Sequence, residues 1–109
     1  MLVAHQITHN PSGTAPMPKL YEALAEAFFA EGVDTQFVLL GDGNMHWSTA
    51  FAKLPGVHTV HVRHEHVTVA AATAYNIATG KVAVASVTCG PGVTQLMTCL
   101  LYTSPSPRD

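Results

Sequence analysis

From Val67 to Gly80 the chain runs for 14 residues without a charge, and a single carboxylate, Glu65, stands just ahead of that stretch. A segment of this length, opened by an acid and closed by a glycine, reads as a helix over Glu65 to Thr79 rather than a strand. A helix that is apolar all round is expected to be buried on all sides. Its N-terminus, and Glu65 with it, should therefore lie in an interior or an interface. Two explanations compete for the acid. The helix dipole rewards a first-turn carboxylate by about 0.3–1 kcal/mol. Alternatively the protein keeps Glu65 half-buried because a ligand needs it, since a desolvated anion without a partner is costly.

The remaining pattern supplies the frame. An amphipathic helix starts at Pro18, with Leu20, Leu24 and Phe28 on one face, and Gly32 offers its stop. Gln36 to Leu40 reads as a strand, followed by the loop Gly41-Asp42-Gly43-Asn44 and a helix from Met45 to Leu54 that ends at Pro55-Gly56. A strand from Thr59 to Arg63 leads into Glu65. A strand from Val82 to Thr88 then reaches the turn Cys89-Gly90-Pro91-Gly92, and Thr94 to Thr98 reads as the first turn of a last helix. Such alternation predicts an α/β fold, a parallel sheet flanked by helices on both faces. Ligands bind such sheets beyond the carboxyl ends of the strands. The loops at 41–44, 63–66 and 89–92 all fall at that edge.

At 109 residues the chain is one small domain at most. Residues 1–16, broken by Pro11, Gly13 and Pro16, read as a flexible N-terminal arm, and residues 17–98 carry the folded pattern. The closing string from Cys99 to Asp109, CLLYTSPSPRD, matches the conceptual translation of a transposase sequencing adapter. It is expected to be a non-native tail on a gene cut mid-domain. A genomic read continuing in frame past Thr98 without that string would settle the point; a native stop codon after Asp109 would refute it. Charged residues make up 11%, against roughly 25% in ordinary soluble domains. That shortage implies faces covered by further chain or a second subunit. A net charge of -2 offers no nucleic-acid footprint. No apolar run approaches the ~18 residues of a membrane span. The N-terminus lacks the basic and apolar regions of a secretory signal. With two cysteines and no C-x-x-C pair, a cytoplasmic setting is expected.

Three clusters invite chemistry. His58, His61, His64 and His66 suggest a metal, but spacings of three do not share a face of a strand with period two, so surface and loop histidines are expected. Cys89-Gly90-Pro91-Gly92 opens a helix and could form a backbone anion nest. It lacks the Lys-Ser/Thr of a P-loop, and no neighbouring His marks Cys89 as a nucleophile. Close approach of backbone to a flat ligand better explains its two glycines. Gly41, Asp42, Gly43 and Asn44 read either as a turn that frees the chain from a buried strand or as a cofactor lining.

Taken in order, Leu40-Gly-Asp-Gly-Asn-Met45, Val62-Arg-His-Glu-His66 and Ser86-Val-Thr-Cys-Gly-Pro-Gly-Val-Thr94 resemble the N-terminal pyrimidine-binding domain of thiamine diphosphate enzymes. The nearest likeness is to the large subunit of acetolactate synthase, over Lys19 to Thr98. That family's last motif typically reads Thr-Ser-Gly-Pro-Gly-Ala-Thr-Asn-Leu, so Cys89 and Gln95 are departures. The family's magnesium motif, Gly-Asp-Gly with an Asn some two dozen residues on, is not matched by residues 41–44: the next Asn is Asn76, inside the uncharged stretch. A hard cation also needs more oxygen ligands than this loop offers. No metal site is expected here, and Mg2+ would come only from the diphosphate-binding domain that this chain lacks.

The resemblance implies roles. Glu65 would hydrogen-bond the ring nitrogen N1′ of the cofactor's aminopyrimidine and favour its imino tautomer, starting chemistry on a 2-oxo acid: decarboxylation, then carboligation with a second carbonyl. Gly41, Gly43, Asn44, Gly90, Pro91 and Gly92 would line the cofactor. Asp42 departs from the synthases, which carry a small residue there; pyruvate-type decarboxylases place a catalytic Asp, which would tilt the product toward an aldehyde. The family also implies a homodimer or tetramer, with the site completed by a second subunit, so this chain alone is expected neither to fold well nor to catalyse. A thiamine diphosphate-dependent decarboxylase and a non-catalytic α/β binding module, with Glu65 merely a helix-cap acid, are the alternatives.

Overall fold

The structure, a computed structural model, describes residues 17–103. The expected arm at 1–16 and the Ser-Pro-Ser-Pro segment at 104–107 lie outside the described residues. Among the described residues seven elements follow in order: α1 Leu20–Ala30, β1 Thr35–Val38, α2 Met45–Ala52, β2 His58–His61, α3 Glu65–Thr79, β3 Val84–Ser86 and α4 Pro91–Thr103. The three strands form one parallel sheet in the order β2-β1-β3. The α/β parallel sheet expected from the alternation is therefore the fold.

Helix signals act where the sequence places them. Glu22 Oε2 accepts the Lys19 amide at 3.3 Å, tying off the first turn of α1. Gly80 ends α3 with φ 73°, a left-handed conformation, and its amide bonds the Asn76 carbonyl at 2.7 Å. α4 begins at Pro91, not near Thr94: Gly90 turns the chain at φ 70°, and proline suits a first helical position because its missing N–H has no partner there anyway. The strands are shorter than their apolar runs. Residues 39 and 40 already leave the sheet after β1, although Leu39 still donates to the Ser86 carbonyl at 3.0 Å.

Alternation along β1 assigns the helices to faces. Thr35 and Phe37 point to α3, where Tyr75 meets the Thr35 hydroxyl at 3.3 Å and packs edge-on against the Phe37 ring. Gln36 points the other way, to α2. Its side chain is fully buried; Nε2 donates to the Ser48 carbonyl (3.0 Å) and to Thr59 Oγ1 (2.9 Å), and Oε1 accepts from Ser48 Oγ (2.8 Å). A buried amide so fully paired stitches β1, α2 and β2 together rather than destabilising them. The apolar core lies on the α2 side, where Ala25, Val33 and Phe51 are packed by Phe28, Trp47, Leu54 and Val84. α1 pairs with α2 there, and α3 pairs with α4 on the opposite face.

Full burial of α3 does not occur. Thr68 and Val69 are its buried residues, while Val67 is 45% and Ile77 80% exposed. One side of α3 meets β1 and β3 and another meets α4. The stripe left over faces outward, and nothing among the described residues covers it. Among the described residues no helix is long and apolar enough to cross a membrane.

Candidate functional site at the carboxyl rim

β1 and β3 are neighbours, yet they hand the chain to opposite faces. β1 leads to α2 on one side and β3 to α4 on the other. Diverging connections open a crevice at the carboxyl ends of two such strands, the place where open α/β sheets bind ligands. The 41–44 and 88–92 loops flank this crevice, and the β2–α3 junction brings Glu65 to it.

The loops are in contact. The Gly43 amide donates to Thr88 Oγ1 at 3.0 Å. A Cβ added at Gly41 would lie 2.6 Å from Thr88 Cβ, a distance no real side chain tolerates, so the backbone is flush against Thr88. A Cβ at Gly92 would stand 3.7 Å from Glu65 Oε1 and 3.7 Å from Thr88 Cγ2. Gly92 is buried, and its bare Cα leaves space beside the carboxylate that a methyl group would occupy. The three motifs are thus brought together as the topology implies.

Glu65 is half-buried, and among the described residues nothing donates a hydrogen bond or an ion pair to its carboxylate. Nor is it the cap of α3. His64 supplies that, its Nδ1 accepting the His66 amide at 3.1 Å, with the two imidazoles 4.7 Å apart. The cap role is therefore filled by a residue the spacing argument assigned to the surface. His66 Nε2 is buried without a partner among the described residues, a second unsatisfied group one residue from Glu65. Asp42 is exposed at the tip of its turn and has no side-chain partner among the described residues.

Asn44 differs from its neighbours. At 3% exposure its amide is used up inside the protein: Oδ1 accepts the Gly41 amide (2.9 Å), and Nδ2 donates to the Leu39 carbonyl (3.2 Å) and to Ser86 Oγ (2.9 Å). It lies beneath the turn rather than on its surface. Gly90 and Pro91 are exposed at the mouth of α4. Cys89 is an exposed thiol whose Sγ lies 3.9 Å from Thr88 Oγ1. Ser86, Thr88 and His64 are the rim residues to which the sequence reading gave no site role, although its motifs contain them. The single available signal was the threonine immediately ahead of the Cys-Gly-Pro-Gly turn.

Two clefts lie elsewhere. One, of about 490 Å³, runs between α1 and α2 past Tyr21, Glu22, Glu26 and His46. Burial, and secondarily the charge of Glu22, raises the Glu26 carboxyl above its ordinary value there. The other, of about 460 Å³, lies beside β3 between α3 and α4 and is lined by Val69, Val82 and Leu96. Neither includes Asp42 or Glu65. Among the described residues no group of three or more His, Cys, Asp or Glu side chains is placed to hold a metal ion.

The family described as "Thiamine pyrophosphate enzyme, N-terminal TPP binding domain" matches residues 18–106. The protein 2-hydroxyacyl-CoA lyase 2 of Mus musculus is 40% identical over 79 residues. That stretch is 72% of this chain and 12% of the mouse protein, so the chain spans about an eighth of the length of this relative.

Proposed function

The chain belongs to the thiamine pyrophosphate enzymes, and from that premise we propose that its rim is the pyrimidine half of an active site in a larger enzyme acting on 2-oxo acids. The observation that carries this reading is the Glu65 carboxylate. It is half-buried, unpartnered and beside the bare Cα of Gly92. The residues present fit the group. A flat heteroaromatic ring needs backbone approach, which Gly41, Gly43, Gly90 and Gly92 allow, and a ring nitrogen needs one carboxylate oxygen, which Glu65 offers.

When bound, thiamine diphosphate supplies a nucleophilic carbon and an electron sink for bonds next to a carbonyl. Glu65, half-buried and beside Gly92, would hold the pyrimidine ring through its nitrogen N1′ and share a proton with it. Gly92 admits the ring edge to that carboxylate. Pro91 fixes the first turn of α4 alongside. Asp42, exposed at the turn tip, would be the group placed to give a proton to the product. Asn44 serves this site from below, through the turn, rather than by contact.

The reaction we propose is decarboxylation of a 2-oxo acid followed by carboligation, as in acetolactate synthases; the alternative, on the strength of Asp42 as a proton donor, is a decarboxylase that releases an aldehyde. A second reading has specific support in the mouse relative, whose name is that of a lyase for 2-hydroxyacyl-CoA. In that reading the bond between the thioester carbonyl and the hydroxyl-bearing carbon is the one cleaved. Mg2+ and the diphosphate contacts belong to a domain outside this chain. The exposed Val67, Ile77, Val93 and Met97 on α3 and α4 support a homodimer or tetramer in which a second subunit covers them, and the exposed thiol of Cys89 suits a reducing, cytoplasmic setting.

The full-length gene product, supplied with thiamine diphosphate and Mg2+, tests this against pyruvate and a 2-hydroxyacyl thioester. CO2 release from pyruvate with a new carbon–carbon bond supports the synthase reading, and with free acetaldehyde the decarboxylase. Aldehyde release from the thioester supports the lyase. Cofactor-independent behaviour, with Glu65→Gln altering stability only, would leave a binding module.

A further inference from the structure

Thr88 stands where all the rim motifs meet. Its hydroxyl accepts the Gly43 amide at 3.0 Å, and its methyl side is flush with Gly41. The same methyl would be 3.7 Å from a Cβ at Gly92, the distance at which that Cβ would also meet Glu65 Oε1. Asp42 lies between the two glycines seated on Thr88. From beneath, Asn44 closes the other side of the turn. It holds the Gly41 amide with Oδ1 and reaches across to the end of β3 through Ser86 Oγ, in a bond inaccessible to water. The turn is therefore fastened at two points, both on the segment 86–88 that leads directly into Gly90-Pro91-Gly92.

We propose that Thr88 and Asn44 are positioning residues, which together lock the Asp42 turn onto the end of β3 and so set where Asp42 sits relative to Glu65. The chemistry favours this over simple packing. A two-residue apolar contact would keep the loops together but leave the turn free to slide. Hydrogen bonds to Gly41 and Gly43, on either side of Asp42, fix the backbone at both flanks. The inference rests on the proposed function, in which Asp42 serves as a proton donor.

Its test uses the full-length protein saturated with thiamine diphosphate, assayed on whichever of the two substrates above it turns over. Thr88→Val keeps the shape and removes the acceptor for Gly43; Thr88→Ser keeps the acceptor. Thr88→Val is expected to lower kcat about tenfold or more, since displacement of a catalytic group by an ångström costs that much, with KM changed by less than about twofold. Thr88→Ser restores most of kcat. In an Asp42→Asn background the same change adds less than about twofold, because the two act through one group. Amide exchange at Gly43 speeds up in Thr88→Val. Ser86→Ala, which strips one partner from Asn44, gives a loss of the same kind and keeps the test open where the valine variant fails to fold. Unchanged Gly43 exchange with wild-type kcat in Thr88→Val, or an equal loss in the Asp42→Asn background, overturns the latch. Glu65→Gln that retains cofactor-dependent turnover overturns the proposed function instead, and the Gly43 exchange measurement then still judges the latch on its own.

Discussion

The two ends of the sheet treat their acids in opposite ways. At the amino end, Asp34 is held on every side. The Thr35 hydroxyl donates to its Oδ1 at 2.9 Å, Tyr75 OH lies 3.4 Å away, and Lys81 Nζ is 3.7 Å from Oδ2. The Thr35 hydrogen bond, ahead of the Lys81 charge, lowers its carboxyl below the ordinary value. At the carboxyl end, Asp42 and Glu65 have no such neighbours among the described residues. One acid ties β1 to α3 and to the chain beyond Gly80. The other two are held in place by their backbones, with their oxygens left open. A fold spends its hydrogen bonds where it needs only itself, and a site withholds them where something else must bind.

That contrast is breakable, and the largest effect falls on Glu65. In the full-length protein, Glu65→Gln is expected to cut cofactor-dependent turnover by about 100-fold or more, while stability stays within about 0.5 kcal/mol. Steady-state rates beside thermal melts read both. A melt that collapses together with the rate would make Glu65 a structural acid like Asp34.

Next come the glycines. Gly41→Ala drives a methyl into Thr88 and is expected to cost about 1–3 kcal/mol, measured by urea unfolding. Gly92→Ala meets only ordinary contacts. It should leave unfolding almost unchanged and weaken thiamine diphosphate binding, measured by cofactor titration. Equal stability losses at both would erase the distinction between a packing glycine and a ligand-facing one.

Asp34 sharpens the comparison from the other end. Its folded carboxyl titrates below the ordinary 3.8. Its stabilisation is therefore present above that pH and fades as pH falls through the lowered folded value. Urea midpoints of the parent and Asp34→Asn should differ modestly at pH 7 and converge as the solution is acidified below 3.8. A difference that persists in acid would mean the carboxylate charge is irrelevant there.

The smallest effect belongs to Glu26. Its carboxyl is raised above the ordinary 4.5 by burial and by Glu22, and Oε2 has no partner among the described residues. The folded state then binds the proton more tightly than the unfolded one, so the ionised form weakens the fold as pH rises from 4.5 through the raised value. Glu26→Gln should give a slight gain in the urea midpoint at neutral pH and none at pH 4. A loss at neutral pH would reveal a partner for this acid.

What was legible in the sequence was local. Gly80 closes α3 by its own left-handed φ, and the alternation of elements gave the parallel sheet, because both signals lie within a few residues of where they act. What was hidden depends on partners remote in sequence. Gln36 looks like an intrusion in an apolar strand until Ser48 and Thr59 are beside it, and Asn44 looks like a loop residue until Ser86, 42 positions on, receives its amide. The His64 cap was missed because histidine is not a customary capping residue. The burial of α3 was overread: absence of charge shows which surfaces avoid repulsion, and here one such surface, at Val67 and Ile77, stays uncovered among the described residues. For the site, Glu65 and the glycine turns were legible as motifs, and Thr88 stood inside the last of them, but its role in joining the 41–44 turn to the end of β3 shows only in three dimensions.

The tight seat of Gly41 on Thr88 also limits how this rim can diverge. A side chain at position 41 needs the volume that Thr88 now fills, so growth at 41 is accommodated best when position 88 shrinks first. Laboratory selection for a wider substrate range should accordingly recover exchanges at 41 alongside reductions at 88, and rarely the former alone. The pair is a hinge of inheritance: a place where one lineage of active sites can branch from another in two linked steps.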